Sequence, residues 1–146
     1  MDKNMDSMAR ACAACIHTRF QDYHARFRQI TRRATDRFKH RQWADGQADA
    51  AERLNLYDVV VDQAEAAARD LLQAKVADDH LWAAAKADYT VRVVGHPDQA
   101  LAETFFNSVT RRIFTTVGVN RRIEFVQDVP PVSPSTPDRT RIATYA

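Results

Sequence analysis

Cys12 and Cys15 stand three residues apart, the spacing that redox and zinc sites use. A structural zinc site needs four ligands, usually as two such pairs, and the sequence has no second CxxC. The nearest histidines, His17 and His24, would face different ways along a helix. A redox pair normally accompanies a βαβ pattern, which is absent. Two small residues in a helix is the better account. The five histidines, at 17, 24, 40, 80 and 96, form no HExxH and no ExxH, so a helical di-iron site is not supported. Asp58, Asp62 and Glu65 follow at i, i+4 and i+7 and share a helix face. Three carboxylates could hold a cation, but with no other ligand group in the run the expected state is a solvated acidic face.

The nucleophile and phosphate signals are negative. Ser7, Ser108, Ser133 and Ser135 are the serines, and none follows a glycine as a GxSxG elbow requires. Ser108 is expected to bond a carbonyl one turn back. Asn107 beside it is a polar residue amid Phe105, Phe106 and Val109, placed to hydrogen-bond a neighbouring helix or domain. The glycines, at 46, 95 and 118, are too far apart for a Walker loop or a kinase glycine-rich loop. No HRD-type or DFG-type motif appears. Cradling phosphates requires clustered backbone N–H groups, so the chain is expected to hold no cofactor of its own.

Charge is strongly segregated. Residues 10–41 carry nine basic and two acidic side chains, a balance of +7, and residues 42–104 carry five basic and twelve acidic, a balance of −7. The bland reading is a basic first helix lying beside an acidic second one. The functional reading is a nucleic-acid face formed by Arg26, Arg28, Arg32, Arg33, Arg37, Lys39 and Arg41. Those arginines surround the helix and no two-helix recognition unit is apparent, so nucleic acid is the weaker reading.

These residues must be positioned by helices. Three glycines and five prolines in 146 residues favour helices over a turn-rich β fold. Cys12, Ile16, Phe20, Tyr23, Phe27, Ile30, Ala34 and Phe38 repeat in steps of three and four, which predicts one helix from about residue 6 to 39. A second follows Trp43, with Asp45-Gly46 read as a turn, Asp45 as its cap, and Leu54, Tyr57, Val61, Ala64, Ala68 and Leu71 as its buried stripe. A third begins near Asp78 or Asp79, with Leu81, Trp82, Ala85 and Tyr89 inward, and ends at Gly95. A fourth opens at His96-Pro97-Asp98, buries Leu101, Phe105, Val109 and Ile113, and stops at Gly118. Ile123 and Phe125 suggest a short extended piece. The expected fold is all-α, an antiparallel bundle of about four helices over residues 1–126 with a flexible Pro-rich tail over 127–146. No apolar run is long enough to cross a membrane, no secretory signal is visible at the start, and two cysteines give no disulfide framework. A reducing, cytoplasmic setting is the default.

The string ETFFNSVTRRIF, residues 103–114, resembles a signature of the amino-terminal regulatory domain of the bifunctional isocitrate dehydrogenase kinase/phosphatase family. Phe20, Tyr23, Phe27 and Phe38, then Trp43, ERLNLYDVVV (52–61) and Tyr89, continue the resemblance upstream in the same order. It covers roughly residues 8–126, and the run QDVPPVSPSTPDRTRIATYA beyond Val126 is read as a departure: a divergent linker, a gene truncation or a frameshifted end. The resemblance implies a protein serine kinase and phosphatase acting on isocitrate dehydrogenase in control of the glyoxylate bypass. It also implies that ATP and a divalent metal (Mg or Mn) bind a kinase-like domain lying further on. Adenine-nucleotide control would enter at the border of the helical and kinase-like parts. It carries over no catalytic, cofactor-binding or metal residue to these positions, so the chain itself is expected to be non-catalytic. The alternative is a stand-alone helical module whose basic first helix binds nucleic acid or an acidic protein. A small metal or redox protein using Cys12 and Cys15 is a third and weaker reading.

Overall fold

A computed structural model describes residues 3–118 together with Ile123 and Phe125. The tail expected over 127–146 lies outside the described residues. Four α-helices make up the described chain, with no strand among the described residues. They are α1 (Lys3–Lys39), α2 (Trp43–Leu72), α3 (Asp79–Val93) and α4 (Gln99–Val117). At 1.5 Å per residue α1 is about 56 Å long. Its predicted stripe faces inward: Cys12, Ile16, Phe20, Tyr23, Ile30 and Ala34 are buried, with Phe27 and Phe38 half-buried.

Consecutive helices run antiparallel. Arg19 Nη1 donates to Gln63 Oε1 (3.4 Å) and Arg33 Nε to Asp49 Oδ1 (2.9 Å), so rising numbers on α1 meet falling numbers on α2. Helices α2 and α4 run the same way, because Tyr57 meets Ser108 and Glu65 meets Thr116. Helix α1 lies against both α2 and α3, and α4 closes the bundle mainly on α2. The basic and acidic blocks do meet here. Asp49, a buried carboxylate, accepts from Arg33 and from Arg37 (3.2 Å), and Glu52 accepts from Arg33 (2.9 Å).

Two features of α2 differ from expectation. Asp45-Gly46 is not a turn. The helix begins at Trp43, capped at Gln42, and Gly46 is buried inside it. The reason is tertiary: a Cβ at Gly46 would lie 2.7–2.9 Å from the Phe38 ring, so glycine leaves room for α1 rather than for a turn. The buried face is also rotated. Leu56, Val60, Val61, Ala64, Ala68 and Leu72 point inward, whereas Leu54 is 81% exposed and Leu71 38%. Overpacking costs about 1–3 kcal/mol and glycine in a helix about 1 kcal/mol relative to alanine. Gly46→Ala is expected to destabilise the native chain but to stabilise a Phe38→Ala variant, measured as urea midpoints of the four proteins.

The remaining ends follow ordinary chemistry. Helix α2 stops at Leu72, and Gln73, with a positive φ of 49°, opens a short 3-10 turn, Gln73–Ala77. Trp82 Nε1 donates to the Val76 carbonyl (2.7 Å) and pins that turn to α3. Asp78 caps α3 by accepting from the Leu81 amide (3.0 Å), which satisfies one of the unpaired amides of a first turn. Helix α4 begins one residue after its cap Asp98, so Pro97 precedes the helix rather than opening it. Gly118 ends it with φ +72°, the left-handed stop that glycine adopts without steric cost.

Candidate functional site

The signature 103–114 folds as the core-facing part of α4, and its side chains reach every other helix. Adjacent residues on a helix point about 100° apart, so the two phenylalanines divide the work. Phe105 sits among Phe20 (5.7 Å between centroids), Tyr23 (6.4 Å) and Tyr57 (5.9 Å), on the α1 and α2 side. Phe106 meets Tyr89 (4.9 Å) and Trp82 (6.2 Å), on the α3 side. Tyr89 is fully buried and its hydroxyl donates to the Ala102 carbonyl (2.7 Å). Burial pushes its ionisation well above the ordinary tyrosine range.

Asn107, Ser108 and Thr110 of the signature are each held by hydrogen bonds. Ser108 Oγ donates to the Thr104 carbonyl (3.0 Å), as expected, and lies 2.7 Å from the Tyr57 hydroxyl. A serine hydroxyl has one proton, so Tyr57 is the donor across the helix pair. Thr110 Oγ1 donates to the Asn107 carbonyl (3.0 Å). Asn107 is buried, and its amide clamps one residue beyond the helix: Nδ2 donates to the Phe125 carbonyl (2.9 Å) and Oδ1 accepts from the Phe125 amide (2.6 Å). Phe125 is fastened further by Phe106 (5.4 Å), Tyr89 (6.1 Å) and the Lys86 ammonium over its ring (5.0 Å). Ile123 and Phe125 have no regular secondary structure. What fixes Phe125 is the Asn107 side chain, not a strand partner.

The carboxylate trio does not stand as a purely solvated face. Arg112 reaches across from α4 to Asp58 (2.9 Å) and Asp62, and Thr116 Oγ1 donates to Glu65 Oε2 (3.0 Å). Asp58 and Asp62 stay largely exposed, so each pair is worth little. Together they fix the register of α4 on α2. The arginine was invisible to a local reading because it lies 50 residues further on.

Of the other candidates, Cys12 is fully buried. Burial, then the neighbouring Cys15, raises its pKa to about 12. Thiol reactivity needs the thiolate, so Cys12 is inert at neutral pH. Cys15 is half-buried and its pKa is raised by burial. Neither belongs to a group of His, Cys, Asp or Glu able to hold a metal among the described residues. His24 and His96, which sequence reasoning did not pair, come together at the mouth of α4. Their rings are 5.0 Å apart, and His24 Nε2 lies 3.4 Å from Asp98 Oδ2. Beside them His24 and Arg28 of α1, Pro97 and Asp98 just before α4, and Leu101 of α4 line a hollow of ≈ 460 Å³ over Tyr23 and Phe27.

Adenosine triphosphate with a divalent metal, the cofactor implied by the resemblance, does not fit these residues. Gly46 lies inside a helix, and Gly95 and Gly118 stand singly after helix ends. No two of them build a phosphate cradle. Of the seven basic candidates on α1 and the turn after it, Arg33 and Arg37 are bound to α2 and Arg26 to Asp22.

Fold and site thus define an all-α domain whose aromatic and polar groups are turned to holding helices together. Comparison with known proteins names its kind. The family model "Isocitrate dehydrogenase kinase/phosphatase (AceK), regulatory domain" matches residues 13–146. An isocitrate dehydrogenase kinase/phosphatase of Anaeromyxobacter sp. (strain Fw109-5) is 46% identical over 121 residues, which is 83% of this chain and 21% of that protein. That of Xanthomonas campestris pv. campestris (strain 8004) is 40% identical over 139 residues, 94% of this chain and 24% of the relative. The chain belongs to the isocitrate dehydrogenase kinase/phosphatase family, and spans about a quarter or less of the length of these relatives. The match runs through residue 146, so the segment after Val126 is part of the family pattern and not a departure from it. No helix among the described residues is long and apolar enough to cross a membrane.

Proposed function

We propose that this chain serves as the front of a regulatory domain in a bifunctional enzyme that phosphorylates and dephosphorylates isocitrate dehydrogenase on a serine, in control of the glyoxylate bypass. It contributes by packing and not by chemistry. ATP, the divalent metal and phosphate transfer belong to a kinase-like domain, and adenine-nucleotide control enters where that domain meets the helical one. The observation that carries this reading is the regulatory-domain match over residues 13–146, joined to a signature helix whose side chains are engaged structurally. The setting proposed is the cytoplasm.

The test is phosphate transfer. The purified chain with ATP, magnesium and isocitrate dehydrogenase is expected to give no labelled dehydrogenase above background. A chimera in which it replaces the matching 121 residues of the Anaeromyxobacter relative is expected to label it. Transfer by the chain alone, or a folded chimera without transfer, would refute the proposal.

A further inference from the structure

The hollow beside His24 and His96 has the parts of a small-molecule site. Phe27 of α1, Leu101 of α4 and the Tyr23 ring give it an apolar lining, in a volume of ≈ 460 Å³. Ligand pockets run to about 300–1,000 Å³. Tyr23 is only 6% exposed, and its hydroxyl forms no hydrogen bond with any described residue. The nearby Tyr57 hydroxyl, by contrast, is matched within the fold by Ser108 (2.7 Å). Burial, then Tyr57 and Asp98, raises the ionisation of Tyr23 above the ordinary tyrosine range, so at neutral pH its hydroxyl is an O–H donor. Arg28 at the rim is exposed, and its guanidinium has no partner among the described residues. The carboxylate on the rim, Asp98, is turned to His24, whose Nε2 lies 3.4 Å from its Oδ2. An unmatched hydroxyl and an unmatched guanidinium thus belong to one apolar hollow.

We infer that this hollow binds a small carboxylic acid with an apolar body, its carboxylate held by Arg28 and Tyr23 and its body lying on Phe27 and Leu101. A guanidinium fork matches a carboxylate with two parallel hydrogen bonds. A tyrosine hydroxyl without a protein acceptor gains one from the ligand oxygen. One free cation, with Asp98 close by, suits a single negative charge. A phosphate dianion is better served by clustered backbone amides, and Pro97 on this rim has no amide proton to give. The site belongs to the chain by itself and does not depend on the functional reading above.

The test titrates the 146-residue chain with para-isopropylbenzoate, and with para-isopropylbenzamide as the uncharged molecule of the same shape. Binding is followed by backbone amide shifts in two-dimensional NMR. The benzoate is expected to saturate with a Kd of about 1 mM or tighter, shifting the amides of His24, Arg28 and Leu101 first, and the benzamide to bind about tenfold more weakly. Tyr23→Phe is expected to weaken the benzoate about fivefold, the effect of one hydrogen bond, and Arg28→Gln about tenfold. Neither group has a partner to lose among the described residues, so both variants should melt as the unsubstituted chain does. Failure to saturate by about 10 mM, a benzamide that binds as tightly as the benzoate, or an affinity that either variant leaves unchanged overturns the site. A lower melting temperature in Tyr23→Phe overturns it too, because the hydroxyl would then be matched within the fold.

Discussion

Phe105→Ala is expected to lower the stability of the chain by about 4 kcal/mol, the range seen when a buried phenylalanine is emptied. Phe105 has no solvent exposure and touches rings from two other helices, Phe20 and Tyr23 of α1 and Tyr57 of α2. Aromatic pairs add about 0.5–1.5 kcal/mol each beyond area burial, so the loss falls at the upper end. Domains of this size are stable by only about 5–15 kcal/mol, and the variant should lose much of that margin. Urea unfolding followed by far-ultraviolet circular dichroism measures it, with Phe105→Leu as a milder companion expected to cost less. A loss below about 1.5 kcal/mol, the cost of a conservative swap, would mean that α4 is not seated on α1 and α2 as described.

The second large effect is local. Asn107→Ala removes both hydrogen bonds to Phe125 and leaves its amide and carbonyl without their side-chain partner. Removing one partner of a buried polar pair costs about 1–3 kcal/mol. The cost should appear at one place. Exchange of the Phe125 amide with solvent is expected to speed by tenfold or more, while the amides of α1 and α2 slow or speed only with global stability. Asn107→Asp is a finer probe, because a carboxylate can accept from the Phe125 amide but cannot donate to its carbonyl. It should recover at most part of the protection. Unchanged exchange at Phe125 in Asn107→Ala would show that the ring contacts to Phe106 and Tyr89 suffice.

The pattern of success in reading the sequence follows from how local each feature is. Helices α1, α3 and α4 were legible because their largest side chains recur in steps of three and four: Phe20 and Tyr23, Trp82 and Tyr89, Phe105 and Ile113 all proved buried. Helix α2 misled because Val59, Val60, Val61 and its many alanines place apolar surface on several sides, so periodicity alone could not fix its rotation. Its start was misread for a different reason. Gly46 looks like turn chemistry, and only the Phe38 ring from another helix explains it. Stop signals with glycine, at Gly95 and Gly118, were visible. The end of α2 was not, since Gln73 takes a positive φ without glycine's freedom.

The site was half visible for the same reason. Asn107 stood out as a polar residue among phenylalanines, and its partner is 18 residues away with no pattern linking them. The acidic trio of α2 gave no sign of Arg112, and His24 gave none of His96 and Asp98, because contacts between helices leave no spacing signature. A phosphate loop, by contrast, is a local feature that needs clustered glycines, and Gly46, Gly95 and Gly118 stand far apart along the chain.

Helix α4 closes the bundle by seating its signature aromatics on rings of all three other helices. Residue-resolved amide hydrogen exchange on the native chain tests it directly. Amides of residues 105–114 are expected to exchange as slowly as the most protected positions of α1, near Ile16 and Phe20, and only through global unfolding, with the Phe125 amide protected beside them. Amides of α4 that open freely while α1 and α2 stay protected would contradict it.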